Sequence, residues 1–282
     1  MARITRASRL ALRSEAERFL AEHGFRTPPL PPDQALAARK LEVTQLSLDD
    51  LLLKVNLPAE DHRKMQAMLQ VRERAVTFRS GLPPQKRSWG SLHEVGHEFI
   101  PWQREVLYCC QLLQLPLHVQ EQFEAEADIF AAEAFFFGDE FRRLASEGDW
   151  GLGTAKELAE SVYATSFHST FAHYAQESPT QCCLLVWKPD DHNQQSEAPD
   201  RLSLHYYVPS SSFRGRIDPG QIADPDGAVT RVFGDPGLTG IIKHEMAFTG
   251  KAGEKYVAQA ESFSNSYNVF TLVSQPVRRA SK

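Results

Sequence analysis

The chain has 282 residues, 42% of them hydrophobic, with a formal net charge of −5 and a pI near 6.1. That length can bury one large core or two modest ones, and the acidic balance speaks against direct binding of nucleic acid, since phosphate recognition leaves a basic surface. No apolar run approaches the roughly 20 residues of a membrane span; the longest, Ala131 to Phe137, is interrupted by Glu133, so no membrane association is expected.

In chain order, Leu12, Ala16, Phe19, Leu20 and His23 recur at helical spacing up to a stop at Gly24. The arginines at 3, 6, 9 and 13 resemble a targeting segment, but the continuous amphipathic pattern reads as a first helix. Pro28 to Asp33 breaks it and opens a second helix over Gln34–Lys40. Ser47-Leu48-Asp49-Asp50 is a helix-start signal leading into Leu51–Val55. A further helix is expected over Ala59–Leu69, a short strand over Arg74–Phe78 and a turn at Gly81-Leu82-Pro83-Pro84.

Gln85 to Ile100 then reads as a helix ended by Pro101, and it carries His93-Glu94-Val95-Gly96-His97. Four-residue spacing puts both imidazoles on one face, one turn apart, where two ring nitrogens can share a tetrahedral zinc; Glu94 lies beside them as a base for a zinc-bound water. A hydrolytic site needs a third protein ligand. Phe123 to Phe135 reads as a second helix, with Glu124 and Asp128 one turn apart. That spacing suits Glu124 as the third ligand and Asp128 as the acceptor that fixes the outer ring nitrogen of a ligand histidine. Glu126 and Glu133 are read as part of a solvated acidic face. Trp102 to Glu121 is read as a long connection roofing the cleft, with Tyr108 and His118 in it as core or loop residues that are in reach of the chemistry.

The stretch from Trp89 to Phe137, with HEVGHEFIPW, then LYCC, then FEAEADIFAAEAF, resembles the ImmA/IrrE family of metallo-endopeptidases, and the resemblance extends over about residues 10–190. Val76-Thr77-Phe78 looks like the family's edge strand. Asp128 stands where many relatives have Asn, and Ala134-Phe135-Phe136-Phe137-Gly138 replaces their Leu-Met-Pro-like continuation. The resemblance implies Zn(II) bound by His93, His97 and Glu124, with Glu94 as catalytic base; one ion per chain is expected, and Mn(II) is compatible with the same ligands. It also implies a gluzincin-like peptidase acting on a protein substrate, a helix-turn-helix transcriptional repressor cut at a limited site.

Beyond the motifs, helical segments within Thr154–Gln176 flank Ala164-Thr165-Ser166; His168 and His173 on the second are candidates for oxyanion donors or simple packing residues. After Pro179 the texture turns strand-like at Cys182–Trp187, Leu202–Val208, Val229–Phe233 and Asn268–Val273. His244-Glu245 has no partner histidine at metal spacing. The cysteines form two adjacent pairs, Cys109-Cys110 and Cys182-Cys183, read as buried free thiols of a cytoplasmic protein. The expected fold is α+β: a mainly helical zincin-like domain with a small sheet over 1–150, a helix-turn-helix-like linker over 151–179, and a β-rich domain over 180–282 that senses a signal or docks substrate. Two functions are compatible with this pattern, a zinc endopeptidase and a zinc-stabilised binding module that sequesters a partner without cutting it; an intact Glu94 favours the enzyme, because a structural site needs no base.

Overall fold

The computed structural model describes residues 4–44, 66–109, 115–189, 201–215, 217–235, 240–249 and 255–279. The architecture is α+β, with two sheets among the described residues. It divides into two compact units, Met1–Phe141 and Arg142–Lys282. None of the described helices is long and apolar enough to cross a membrane.

In the first unit α1 (Arg6–Glu22) starts at Thr5, whose hydroxyl accepts from Ser8 N, and buries Leu12, Ala16, Phe19 and Leu20 as the sequence periodicity requires. Next come α2 (Pro32–Ala38) and β1 (Glu42–Val43). The expected helix at Leu51–Val55 lies outside the described residues, as does most of the one at Ala59–Leu69. The last residues of that second stretch are in a strand instead: β2 (Ala67–Gln70) pairs antiparallel with β3 (Ala75–Phe78), placing Ala67 opposite Phe78. Because β1 pairs in parallel on its other side, β3 is the central strand of a three-stranded sheet and not the edge strand expected of it.

Pro83 and Pro84 then open α3 (Pro84–Phe99). It ends at Ile100, which Pro101 holds in an extended conformation with ψ 116°. The same proline opens α4 (Pro101–Cys109), so much of the expected roofing connection is a helix. Further on, α5 (Leu117–Phe135) packs against both α3 and α1. Phe19, Phe99 and Phe130 meet where these three helices converge, with ring centroids 5.3–5.8 Å apart. The boundary between units falls within α6 (Gly138–Glu147).

The second unit holds α7 (Leu152–Glu157), a π-helical turn over Leu158–Val162 and α8 (Phe167–Glu177). These helices belong with a five-stranded antiparallel sheet and are not a separate linker. The sheet comprises β4 (Cys182–Pro189), β5 (Leu202–Pro209), β6 (Ile242–Thr249), β7 (Lys255–Ser264) and β8 (Val269–Arg279), in the order β5-β4-β8-β7-β6. Phe171 of α8 packs on Phe263 and Phe270 on one face. On the other face Cys183, Leu185 and Trp187 share a core with Val229 and Val232. Those two valines lie on α9 (Ala228–Gly234), a helix where a strand was expected. The expectation followed β-branched composition, but Val229, Val232 and Phe233 sit at i, i+3 and i+4, and that spacing carries the helix.

Candidate metal centre

The α3–α5 packing assembles the site. Gly96 lies between the two histidines of α3 where that helix crosses α5: a Cβ there would sit 3.0 Å from Phe130 Cδ1 and 3.4 Å from the Ala127 backbone. The bare backbone lets α5 come close enough for its acids to meet the α3 imidazoles.

His93, His97 and Glu124 converge, and these three residues could hold a metal ion. His93 Nε2 lies 3.1 Å from His97 Nε2 and 3.1 Å from Glu124 Oε2, while His97 Nε2 lies 3.5 Å from Glu124 Oε1. A tetrahedral ion bonded at about 2.0–2.1 Å to each ligand would separate them by roughly 3.3 Å, so the donor set fits. The outer nitrogens are both engaged: His93 Nδ1 meets Asp128 Oδ1 at 2.9 Å, and His97 Nδ1 meets Gln103 Oε1 at 2.8 Å. With both Nδ1 atoms donating to oxygen, the two Nε2 lone pairs face each other, and only a shared proton or a cation relieves the repulsion.

The electrostatics agree. Burial works against protonation of His93, but hydrogen bonds to Asp128 and Glu124, with the Glu94 and Glu124 charges, prevail and raise its pKa to about 10. Burial would raise Glu124, yet its two histidine partners hold it well below the usual carboxylate range. Glu94 is pushed up by burial, a shift that His93, His97 and a hydrogen bond from the Leu69 backbone only partly offset. Access is graded, with the His97 side chain 3% exposed and that of Glu124 49%.

Sequence reasoning missed the groups behind His97. Gln103 is fully buried on α4, and its Nε2 donates to Glu126 Oε2 at 2.8 Å and to the Phe123 carbonyl at 3.1 Å. Glu126 also accepts from Trp102 Nε1 at 2.7 Å and Gln122 Nε2 at 2.9 Å. It is therefore interior and not on a solvated face; the same correction applies to Glu133, which is buried and paired with Arg13 at 3.2 Å. The only sequence signal for Gln103 was its place in the first turn after Pro101, a proline that starts a helix as readily as it stops one.

The other candidates are not members of this three-residue cluster. Tyr108 and His118 are exposed. His168 and His173 belong to the second unit, where His168 bonds the Tyr206 hydroxyl and His173 is buried. Cys182 and Cys183 are buried free thiols raised in pKa by that burial, whereas Cys109 is exposed, contrary to expectation; Cys110 lies outside the described residues.

No family model and no curated protein matches the chain. Among solved structures it is similar to a Mycobacterium tuberculosis transcriptional regulator, with a TM-score of 0.54 over 94% of this chain and 76% of that one. At 15% identity the likeness is one of fold.

Proposed function

We propose that this protein is a zinc-dependent endopeptidase that cuts a regulatory protein at a limited site. The observation that carries the reading is the pair of Nε2 atoms 3.1 Å apart, each backed by an anchored Nδ1 and joined by Glu124, with a buried carboxylate next in sequence to His93. His93, His97 and Glu124 would hold the ion. A zinc ion held there would supply Lewis acidity, lowering the pKa of a water toward 7. Glu94, raised by burial, accepts the water proton and returns it to the leaving amine. Asp128 keeps the His93 ring turned to the ion.

The ImmA/IrrE resemblance of the HEVGH and FEAEADIF segments supplies the substrate class, a helix-turn-helix transcriptional repressor in the cytoplasm, and the regulator named among the fold neighbours supports a place in transcription control. The deciding experiment incubates zinc-loaded wild type and Glu94→Gln with a panel of helix-turn-helix repressors, followed by intact-mass spectrometry. Wild type yields two fragments; Glu94→Gln keeps its zinc and cuts at least about a hundredfold more slowly. Equal rates remove Glu94 as the base. Tight binding of a repressor without cleavage by either form replaces the enzyme with a zinc-stabilised sequestering module.

A further inference from the structure

We infer that Gln103 is a positioning residue for metal binding, and that the buried His97–Gln103–Glu126 chain fixes the ring tautomer that leaves His97 Nε2 free as a ligand; this rests on the reading of His97 as a metal ligand.

The direction of every hydrogen bond in the chain follows from its far end. Glu126 Oε2 and the Phe123 carbonyl can only accept here, and both lie within hydrogen-bond distance of Gln103 Nε2, at 2.8 and 3.1 Å. Turning the amide over would set Gln103 Oε1 against two oxygens, so the amide has one workable orientation. Its Oε1 then faces His97 Nδ1 at 2.8 Å and requires that nitrogen to carry the hydrogen. A neutral imidazole protonated at Nδ1 presents its lone pair at Nε2, the atom 3.1 Å from His93 Nε2.

Glu126 is held in turn. Trp102 and Gln122 donate to it from two helices, so the carboxylate cannot rotate away without abandoning a donor. Gln103 and His97 are both buried, which leaves bulk water unable to substitute for a lost partner. The two ligand histidines are thus anchored differently: His93 by Asp128, a carboxylate with a 58% exposed side chain, and His97 by a neutral amide whose orientation a second, interior carboxylate sets.

The test uses the full chain and zinc alone. Affinity is measured by competition with a chromogenic chelator, and the His97 tautomer by nitrogen-15 NMR of the metal-free protein, where no ligation at Nε2 imposes it. Gln103→Met keeps side-chain length but offers Nδ1 no comparable acceptor, and lowers zinc affinity by about 10- to 100-fold. Wild type shows a single His97 species protonated at Nδ1; in Gln103→Met that preference is lost. Gln103→Glu sets a carboxylate against Glu126 and weakens zinc further, whereas Gln103→Glu combined with Glu126→Gln restores a donor at position 126 and binds several-fold more tightly than Gln103→Glu alone. Circular dichroism checks folding; if Gln103→Met does not fold, the comparison of the single and exchanged variants decides. Wild-type affinity and an unchanged tautomer in Gln103→Met overturn this inference while leaving the metal site standing, and so does an exchanged pair no tighter than Gln103→Glu. Failure of wild type to take up zinc overturns the metal reading and this inference with it.

Discussion

Glu98 follows His97 directly in the chain, yet it turns from the candidate metal site into a two-pronged bond with Arg39, at 2.6 Å from Nε and 3.1 Å from Nη2. Arg74 adds a third contact at 3.3 Å, so one buried carboxylate of α3 ties the end of α2 and the β2–β3 turn to the helix that carries both histidines. Arg39 also lies over the Phe99 ring, 4.9 Å from its centroid.

Removing that carboxylate leaves a largely buried guanidinium without its partner. Glu98→Gln should lower the stability of the first unit by about 3 kcal/mol, the usual scale for breaking a buried pair from one side. Zinc stoichiometry should stay at one per chain, because none of the three ligands is touched. Urea denaturation monitored alongside metal content checks both; an unchanged midpoint would show that the arginines find solvent at no cost.

The approach of α5 to α3 at Gly96 gives a second expectation. Gly96→Ala gains about 1 kcal/mol of helix propensity, which offsets much of its tight contact with Phe130. Gly96→Val adds two branches and no such gain, so overpacking of about 3 kcal/mol should prevail and move Glu124 off the histidines. Zinc affinity should therefore fall sharply in Gly96→Val and only slightly in Gly96→Ala. Adding Phe130→Leu to Gly96→Val should recover part of the loss. Zinc titration of the four proteins, wild type included, is the measurement, and full affinity in Gly96→Val would mean that the helix spacing does not govern the site.

How far the sequence discloses this site depends on which period carries the signal. His93 and His97, and again Glu124 and Asp128, are four apart, and a helix turns that number directly into a shared face. Gln103 and Glu126 have no such spacing: one belongs to α4, the other to α5, and their meeting depends on how those helices pack. Glu126 in particular is interleaved with the site acids of α5, where isolated charges suggest solvent. In the second unit, β6 and β7 carry Glu245, Gln259 and Glu261 among their apolar residues and escape a search for apolar runs, although their antiparallel register runs unbroken from Ile242–Ser262 to Thr249–Lys255. The Val229–Phe233 segment errs the other way, since its composition favours a strand while its spacing specifies a helix.

Metal binding should release a proton. With the His93 pKa raised to about 10, the metal-free chain carries that proton at pH 7, and ligation at Nε2 requires it to leave. Proton and metal compete for one nitrogen, so apparent affinity should weaken as pH falls, by up to about tenfold per unit for one displaced proton. Calorimetric titration of zinc into the protein at pH 7, in two buffers with different heats of ionisation, reads the proton directly. Identical heats in both buffers would show that His93 is already unprotonated or is not a ligand.

The unit boundary yields the last expectation. Helices α7 and α8 belong with the five-stranded sheet, where Phe167 and Phe171 pack on Phe263 at centroid distances of 5.0 and 6.0 Å. A chain ended after Gln176 keeps those rings but loses the strands that cover them, and should aggregate through the exposed apolar face. A chain ended after Glu147 keeps α1 to α6 with the three ligands, Asp128, Gln103 and Glu126, and discards α7 and α8 with the sheet. It should fold and bind one zinc, since every side chain that surrounds the ligands in the first unit is retained. Light scattering and zinc titration of the two fragments test this. If the shorter fragment fails to bind zinc while the full chain succeeds, the first unit does not fold independently; if the longer one stays monomeric, α7 and α8 have a second way to bury their aromatic face.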